Sequence, residues 1–337
     1  MQNKKPNGLV VDNSPLSVQE FTSLMQEFDP VSAMAVGLSG GADSLALAFL
    51  LHQWCQSRQI SLTALTFDHK IRPESSEEAE YIAEITASWS LEHVILTAQE
   101  DIGSTKIQES ARNARYQAMF HYCQDRKIQT LATAHHLDDQ FETVLMRFAR
   151  GSGINGLSGI RAERDAQGIR LIRPVLAIAK SRLIATCQAE GLQWIEDPSN
   201  TNLNFTRAQI RQVSEHLKGI GITPENIEKS RVKIESAQSF VTEVLAQFYK
   251  DHVTSNTDEI IISGPAFEDC HPYLKTCILE KALMMIGRSQ YPPKSKHLKN
   301  MLEKIARDNF KSTTLNQCLV YRTKARDLVI SPENAGL

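Results

Sequence analysis

A turn of small and polar residues stands between two apolar stretches near the start of the chain. Residues 33–38 (Ala-Met-Ala-Val-Gly-Leu) predict a buried strand, and residues 45–51 predict a helix. The string Ser-Gly-Gly-Ala-Asp-Ser joins them at 39–44. Glycines let backbone N–H groups approach an anion closely, and the start of a helix adds partial positive charge. The string therefore constrains this region to a strand–turn–helix unit and predicts a polyphosphate site.

The polar side chains of the turn support that interpretation. Ser39 and Ser44 can donate hydrogen bonds to phosphate oxygens, and Asp43 can hold the Mg²⁺ that a polyphosphate carries. A Walker A loop is excluded, because no Gly-Lys-Ser/Thr follows. A turn with two glycines is by itself more often a plain helix start, with Asp43 or Ser44 as its cap. The complete string favours a nucleotide site.

The composition describes an ordinary globular chain that is long enough for two domains. Its 337 residues are 42% hydrophobic and 23% charged, and no apolar run reaches the length of a membrane span. The N-terminus lacks the apolar core of a signal peptide. The six cysteines are scattered without a Cys-x-x-Cys pair, which predicts neither a zinc site nor an iron–sulfur cluster. Reduced thiols in the cytoplasm are therefore expected.

Charge is distributed unevenly, although the net charge is only −2. Residues 74–109 have a local balance of −8, whereas residues 147–182 and 294–326 have balances of +6 and +7. The two basic blocks could form a face for a polyanion such as RNA, or each could be an ordinary solvated surface. Charge alone leaves both interpretations open.

Strand and helix patterns alternate through the first half of the chain, which predicts an α/β fold whose parallel sheet has helices on both faces. Ligands of such sheets bind beyond the carboxyl ends of the strands. The turns at Ser39, Asp68–His69 and His135–His136 all follow predicted strands, so we expect them to converge. Residues 151–159 contain four glycines and predict a flexible substrate loop.

A second glycine turn, at 219–221, predicts the boundary between two domains. The first would span residues 1–218. The second, smaller domain would span residues 222–337 and be mainly helical, with a strand near 259–262 and a hairpin at its end.

Two pairs of like charges stand three residues apart on predicted helices. Asp139 and Glu142 would share one helix face, where two carboxylates suit an ammonium group; the alternative is a capping aspartate and a solvated glutamate. Arg112 and Arg115 could clamp a phosphate or carboxylate, or form a solvated basic face. Since His135–His136 has no third ligand at a useful spacing, we favour nucleotide or RNA contacts there over zinc.

Further strings follow the turn in a set order, at 68–75, 109–116, 134–143, 150–153, 173–176 and 196–200. They read Asp-His-Lys-Ile-Arg-Pro-Glu-Ser, Glu-Ser-Ala-Arg-Asn-Ala-Arg-Tyr, Ala-His-His-Leu-Asp-Asp-Gln-Phe-Glu-Thr, Arg-Gly-Ser-Gly, Arg-Pro-Val-Leu and Glu-Asp-Pro-Ser-Asn. With the turn, they resemble the PP-loop ATP pyrophosphatases, and among these the tRNA(Ile)-lysidine synthases. The resemblance is dense from 33 to 211 and implies an adenine nucleotide alpha hydrolase-like, Rossmann-like fold.

The resemblance also implies roles for individual residues. Catalytic roles fall to Asp43, Arg115, Asp139 and Glu142. The implied nucleotide-binding residues are Ser39, Gly40, Gly41, Ala42, Asp43, Ser44, Asp68, His69 and His135. Contacts with substrate or tRNA fall to Arg72, Arg112, Arg173, Asp197, Arg207 and Arg211. Asp43 is the implied Mg²⁺ ligand, and Asp139 with Glu142 would hold the lysine substrate.

The implied reaction makes lysidine at the wobble cytidine of the tRNA(Ile) that bears a CAU anticodon. ATP with Mg²⁺ adenylates the base, and free L-lysine then displaces AMP. The basic block at 294–326 would grip the tRNA backbone. No membrane contact is expected, and a monomer and a homodimer are both open.

One string departs from the family pattern. Residues 207–211 read Arg-Ala-Gln-Ile-Arg where the family usually has Arg-Asn-Arg-aliphatic-Arg, and a lost charge-assisted contact costs about 1.5–3 kcal/mol. The departure weakens the implied handling of RNA or of the reaction intermediate at this helix. Two other classes stay open: a PP-loop tRNA thiolation enzyme, which should carry catalytic cysteines, and a non-catalytic tRNA-binding relative.

Overall fold

The computed structural model describes residues 13–28, 32–68, 74–97, 107–196, 206–289 and 292–333. At residues 74–75, 107–109, 206–209, 211–212 and 215 it describes the backbone alone. The chain divides into two units, Met1–Ile234 and Glu235–Leu337. This division lies beyond the glycine turn at 219–221, and the domain assignment made from that turn stays a prediction.

The first unit is built on a six-stranded sheet. Its strands are β1 (Ala33–Gly37), β2 (Ser61–Asp68), β3 (Glu92–Thr97), β4 (Thr130–Ala132), β5 (Glu163–Ala166) and β6 (Ile169–Ile172). They lie in the order β3-β2-β1-β4-β6-β5, and each neighbouring pair is parallel except β5 with β6. Met34 of β1 lies opposite Leu62 of β2 and Thr130 of β4. The strand order reverses between β1 and β4, which is where sheets of this type bind ligands.

Helices cover both faces of the sheet, because successive side chains of a strand point to opposite sides. The helices of this unit are α1 (Val18–Met25), α2 (Ala42–Arg58), α3 (Glu74–Ser88), α4 (Ile107–Asp125), α5 (Leu137–Ala149), α6 (Ile154–Leu157), α7 (Lys180–Ala189), α8 (Thr206–Gly219) and the first part of α9 (Pro224–His252). Met34 and Val36 pack into one core with α2 and α7, and Ala35 packs into the other with α4. The predicted α/β class is confirmed.

The glycine-rich segment 151–159 differs from the flexible loop that its composition predicts. It contains helix α6, and Nη1 of Arg147 donates to the carbonyls of Gly156 (2.8 Å) and Gly159 (2.7 Å). The amide of Gln140 exchanges two hydrogen bonds with the backbone of Ile160, at 2.6 and 2.9 Å. Glycine count predicted mobility here, but side chains of α5 bind the backbone groups of the segment and hold it in place.

The second unit combines helices with an antiparallel sheet. Its elements after α9 are β7 (Val253–Ser255), β8 (Ile260–Ile262), α10 (Gly264–Asp269), α11 (Pro272–Ile286), α12 (Ser295–Ile305), β9 (Ser312–Leu315), β10 (Cys318–Arg322) and β11 (Leu328–Pro332). The strand order is β7-β8-β11-β10-β9, so the predicted strand and terminal hairpin are parts of a five-stranded sheet. Ile260 and Val320 of the sheet share a core with Leu279 of α11 and Leu298 of α12.

In the described part of the chain, no helix is both long enough and apolar enough to cross a bilayer.

Gly264 offers a test of how the second unit is packed. A Cβ at this position would overlap the backbone carbonyl of Arg326, and the N–H of Gly264 donates to Oδ1 of Asp327 at 3.0 Å. We expect Gly264→Ala to lower the unfolding free energy of this unit by about 1–3 kcal/mol, because backbone cannot move aside as a side chain can. The exchange rates of the β8 and β11 amide hydrogens measure this loss of unfolding free energy and should rise in the variant.

Gly219→Ala is the matched control, because no described atom lies within 4 Å of a Cβ there. It should stay within about 0.5 kcal/mol of the parent. Equal exchange rates in the two variants would contradict the packing around Gly264.

Candidate functional site

The 39–44 turn and the segment before α5 meet at the switch point of the sheet. The turn follows β1 and leads into α2, while His135 and His136 follow β4 and lead into α5. Because β1 and β4 are adjacent and parallel, both segments leave the sheet at the same edge. The turns at Ser39 and at His135–His136 therefore converge as expected, and β2, which is parallel to β1 and adjacent to it, ends at the same edge with Asp68. Asp68, at the end of β2, is buried and accepts a hydrogen bond from Ser76 Oγ at 3.0 Å.

The turn is held by its two serines. The N–H of Ser39 donates to Ser44 Oγ at 3.1 Å, the two hydroxyls lie 3.1 Å apart, and Ser44 Oγ donates to the Gly41 carbonyl at 3.0 Å. Gly40 has φ +82°, a conformation that favours glycine, and Gly41 is the N-cap of α2. Ala42, the first residue of α2, is buried. The turn keeps its shape through its own hydrogen bonds.

Asp43, in the first turn of α2, lies between two basic groups. Its Oδ2 is 3.4 Å from Nε2 of His136 and 3.6 Å from Nζ of Lys180. Burial tends to raise the pKa of the Asp43 carboxyl, but hydrogen bonding and charge from His136 and Lys180 hold it below its usual value. Its Oδ1 is buried and has no hydrogen-bond partner among the described residues. The carboxylate is therefore ionised, and one of its oxygens has no hydrogen-bond partner among the described residues.

His136 is almost fully buried and faces three carboxylates. Its Nε2 lies 3.5 Å from Asp139 Oδ2, and its Nδ1 lies 3.7 Å from Asp138 Oδ2. Burial tends to lower the pKa of His136, but Asp43, Asp139 and Asp138 together raise it above its usual value. The ring therefore joins the turn after β1 to the first turn of α5.

A cleft of about 320 Å³ opens beside the turn. The predicted site residues that line it are Ser39, Gly41, Asp43, Ser44, Arg112, Arg115, His135 and Asp139. Apolar side chains form part of its wall, including Leu38, Phe67, Ile82 and Met119. A cleft with one polar and one apolar part fits a nucleotide, whose phosphates and base need different surroundings.

Arginines of α4 gather around Tyr116 within this cleft. The guanidinium carbon of Arg112 lies 5.0 Å from the Tyr116 ring centroid, and that of Arg115 lies 5.8 Å from it. Nη2 of Arg112 also lies 3.2 Å from Nε2 of His135. Burial lowers the pKa of Arg115, and the charge of Arg112 adds to that effect while Tyr116 opposes it. Positive charge is thus concentrated on this side of the cleft.

Arg173, just after β6, is buried beside the same tyrosine. Its Nη1 donates to the Arg161 carbonyl at 2.7 Å, and its Nε has no hydrogen-bond partner among the described residues. Burial lowers the pKa of Arg173 to about 10; Tyr116 opposes the shift, while Arg164 and Arg112 add to it. A cation held this close to other cations favours the approach of an anion.

Asp139 and Glu142 lie in two different cavities of the site. Asp139 lines the large cleft, whereas Glu142 is buried and lines a cavity of about 40 Å³. That cavity is also lined by Asp138 and, from α8, by Ser214 and Lys218. Helix α8 packs against α5 on the side of Glu142, and a joint role of the two carboxylates stays a prediction.

Several predicted site residues are not described. His69, Arg72 and Asp197 lie outside the described residues, and for Arg207 and Arg211 the backbone in α8 is described without the side chain. Their roles stay predictions.

Sequence reasoning missed Lys180, and it predicted a nucleotide or RNA contact at His135–His136 without the link between His136 and Asp43. His136 stands beside His135, but the extended backbone turns the two rings to different neighbours, Asp43 and Arg112. Lys180 is the first residue of α7, where the positive end of the helix dipole disfavours a cation. A lysine at this unfavourable position was the signal in the sequence that could have indicated a role in the site. Among the described residues, no group of three or more His, Cys, Asp or Glu could hold a metal ion.

The two glycines of the turn make different demands on a side chain. A Cβ at Gly40 would lie 2.8 Å from Ile195 Cδ1 and 2.9 Å from Ile82 Cδ1, at positive φ. We expect Gly40→Ala to lower the unfolding free energy by about 1–3 kcal/mol, through strain and overpacking. Chemical denaturation measures it.

Gly41→Ala is the control, because the nearest neighbour of its Cβ would be Ser39 Oγ at 3.9 Å. It should cost less than about 1 kcal/mol, the scale of a changed N-cap. A larger loss for Gly41→Ala than for Gly40→Ala would contradict the geometry of the turn.

Comparisons with known proteins show the family of this chain. The PP-loop domain family matches residues 14–217. The tRNA(Ile)-lysidine synthase of Orientia tsutsugamushi is 31% identical over 87% of this chain and 68% of its own length. That of Rhodopseudomonas palustris is 36% identical over 70% of each. The U34-tRNA thiolase NcsA from Methanococcus maripaludis shares the fold, with a TM-score of 0.55 at 18% identity over 65% of this chain and 80% of its own. The chain belongs to the PP-loop family and, within it, to the tRNA(Ile)-lysidine synthases.

Proposed function

We propose that this chain ligates free L-lysine to C2 of the wobble cytidine of tRNA(Ile) with a CAU anticodon, using ATP and releasing AMP and pyrophosphate. The observation that carries the proposal is the cleft itself. The 39–44 turn, the arginines around Tyr116 and Asp139 all line it, in a chain that belongs to the tRNA(Ile)-lysidine synthases. Six unpaired thiols support a reducing compartment, so we propose the cytoplasm.

ATP would lie with its base against the apolar wall and its phosphates over the turn. The N-terminus of α2 supplies partial positive charge there, and the hydroxyls of Ser39 and Ser44 are within reach of the same phosphates. Arg112 and Arg115 face them from α4. These groups favour the negative charge that grows as the α-phosphate is attacked.

Asp43 fits Mg²⁺ because its buried Oδ1 has no hydrogen-bond partner among the described residues. Mg²⁺ prefers carboxylate and phosphate oxygens and keeps several waters, so one protein carboxylate is enough beside a polyphosphate. Bound there, the ion would neutralise phosphate charge during transfer.

Base activation comes first in the proposed order. The C2 oxygen of cytidine attacks the α-phosphorus and pyrophosphate leaves with the electron pair of the broken bond. The C2 oxygen, which is a poor leaving group by itself, now carries the adenylyl group and can leave C2 as AMP. The cytidine has to be unstacked from its loop to reach the cleft, as in other proteins that act on single-stranded RNA.

Lysine attack comes second. The ε-amine has to be neutral when it attacks C2, so a carboxylate that binds the ammonium form and accepts its proton assists the step. We assign this role to Asp139, which lines the cleft. Glu142 lies within the same helix and contributes negative charge from the neighbouring cavity. The α-amine and α-carboxylate of lysine do not enter this assignment.

Transfer of labelled lysine tests the proposal. Full-length protein, ATP, Mg²⁺, radiolabelled lysine and tRNA(Ile) with a CAU anticodon should give lysine bound to RNA, with one AMP per lysine. Dependence on a sulfur donor would favour a thiolation enzyme instead. Binding of tRNA without turnover would favour a non-catalytic relative. Either result would overturn the proposal.

Asp43→Ala tests the role of the carboxylate in the first step. We expect pyrophosphate release to fall by about 100-fold or more, because the site for the divalent cation is lost. Asp165→Ala, at an exposed position of strand β5, is the control and should release pyrophosphate at the parent rate. If Asp43→Ala keeps the parent turnover and an unchanged circular dichroism spectrum, then Asp43 does not bind the catalytic metal ion.

Helix α12 is our candidate for the tRNA backbone contact. Its buried face is formed by Leu298, Met301 and Ile305, so Lys296 and Lys299 are left exposed. We expect Lys296→Glu/Lys299→Glu to raise the KM for tRNA and to flatten its salt dependence, since each phosphate contact adds about one unit to the slope. The KM values for ATP and lysine should not change.

Arg126→Glu/Lys127→Glu, on an exposed turn after α4, makes the same change of four units in net charge and controls for it. If it raises the KM for tRNA as much as the α12 substitutions do, then the effect is general and α12 is not the contact.

A further inference from the structure

Lys180 is placed at the turn by two other elements. Its backbone N–H donates to Asp138 Oδ2 at 2.9 Å, and the N–H of Leu137 donates to the Ile178 carbonyl at 2.9 Å. These bonds tie the start of α7 to the start of α5. Further along α7, Cys187 Sγ lies 3.3 Å from the carbonyl of Ala42 in the first turn of α2. The Lys180 side chain is 40% exposed and can move while its backbone stays in place.

The position of Lys180 is unfavourable without an anion. A cation in the first turn of a helix is opposed by the helix dipole, and acidic residues are preferred there. Oδ2 of Asp43 partly compensates the charge, at 3.6 Å from Nζ, but it shares this role with His136 at 3.4 Å. A divalent cation on Oδ1 of the same carboxylate would repel both groups. A bound polyphosphate would remove that conflict.

The other cation of α7 has its own partners. Arg182 Nη2 lies 3.0 Å from Glu20 Oε1, and Arg182 Nε donates to the Ser14 carbonyl at 3.0 Å. The two basic residues of the helix therefore have different contacts. Arg182 binds Glu20 of α1, and the side chain of Lys180 contacts Asp43 of the 39–44 turn.

We propose that Lys180 binds the β- and γ-phosphates of ATP and stays with pyrophosphate as it leaves. The inference rests on the proposed function, in which the bond between the α-phosphorus and its bridging oxygen breaks. The electron pair goes to that oxygen, so negative charge grows on pyrophosphate. Lys180 lies next to Asp43 but is not part of the lining of the cleft, where the nucleoside would bind. Because Asp43 belongs to the turn over which the phosphates would lie, the Lys180 ammonium is near enough to that turn to bind their terminal groups.

Direct binding separates this role from a general effect on the enzyme. Calorimetric titration of the full chain with magnesium pyrophosphate and, separately, with AMP would compare the parent with Lys180→Met, Lys180→Arg and Arg182→Met. We expect Lys180→Met to weaken pyrophosphate binding about tenfold or more, the effect of one lost charge-assisted contact. AMP affinity should stay within about twofold, since AMP lacks the β- and γ-phosphates that Lys180 would hold through charge-assisted bonds. Lys180→Arg should restore most of the loss, and Arg182→Met should change neither ligand.

Three results would overturn the proposal. One is equal pyrophosphate affinity in the parent and Lys180→Met. Another is an equal loss of AMP affinity in Lys180→Met, which would indicate a structural role. The third is a parent protein that does not bind magnesium pyrophosphate. If pyrophosphate binds through Lys180 but no lysine is transferred to tRNA, the proposed function fails and the assignment of Lys180 stands.

Discussion

The contact between Asp43 and His136 joins the two chain segments on which the whole site depends. Asp43 follows β1 and His136 follows β4, and their side chains meet at 3.4 Å where the strand order reverses. A buried imidazole facing three carboxylates is stable only while all of them keep their places, because an uncompensated buried charge is costly. The contact therefore fixes the 39–44 turn relative to α5.

Acidic and basic side chains of the cleft lie on different elements. Carboxylates of Asp43 and Asp139 lie near the start of α2 and α5, and the guanidinium groups of Arg112 and Arg115 lie on α4. A polyphosphate between them can meet arginine on one side and a cation held by Asp43 on the other. An amine can meet Asp139 without displacing either. One cleft can thus receive an anion and a cation in a set order.

Much of this arrangement follows from local sequence. The 39–44 string needs only a strand before it and a helix after it, and both are apolar runs that the sequence predicts. The role of His136 could not be predicted, because an extended segment sends adjacent histidines to opposite neighbours that only the fold supplies. The place of Lys180 in the site depends on its contact with Asp43, and the two residues are far apart in the chain, so local sequence could not predict it. The 151–159 segment looked flexible because its ordering comes from Arg147 and Gln140, outside the segment.

Helix α8 links the least typical string of the chain to the amine side of the site. Its Ile210, Ser214 and Lys218 line the cavity that holds Glu142, whereas Asp139 stays in the open cleft. The Ala208–Gln209 departure lies on the same helix, one turn or less from Ile210. The string therefore belongs to the helix that packs against α5 beside Glu142. The 39–44 turn lies between β1 and α2, and its Asp43 contacts His136, which precedes α5, and Lys180 of α7.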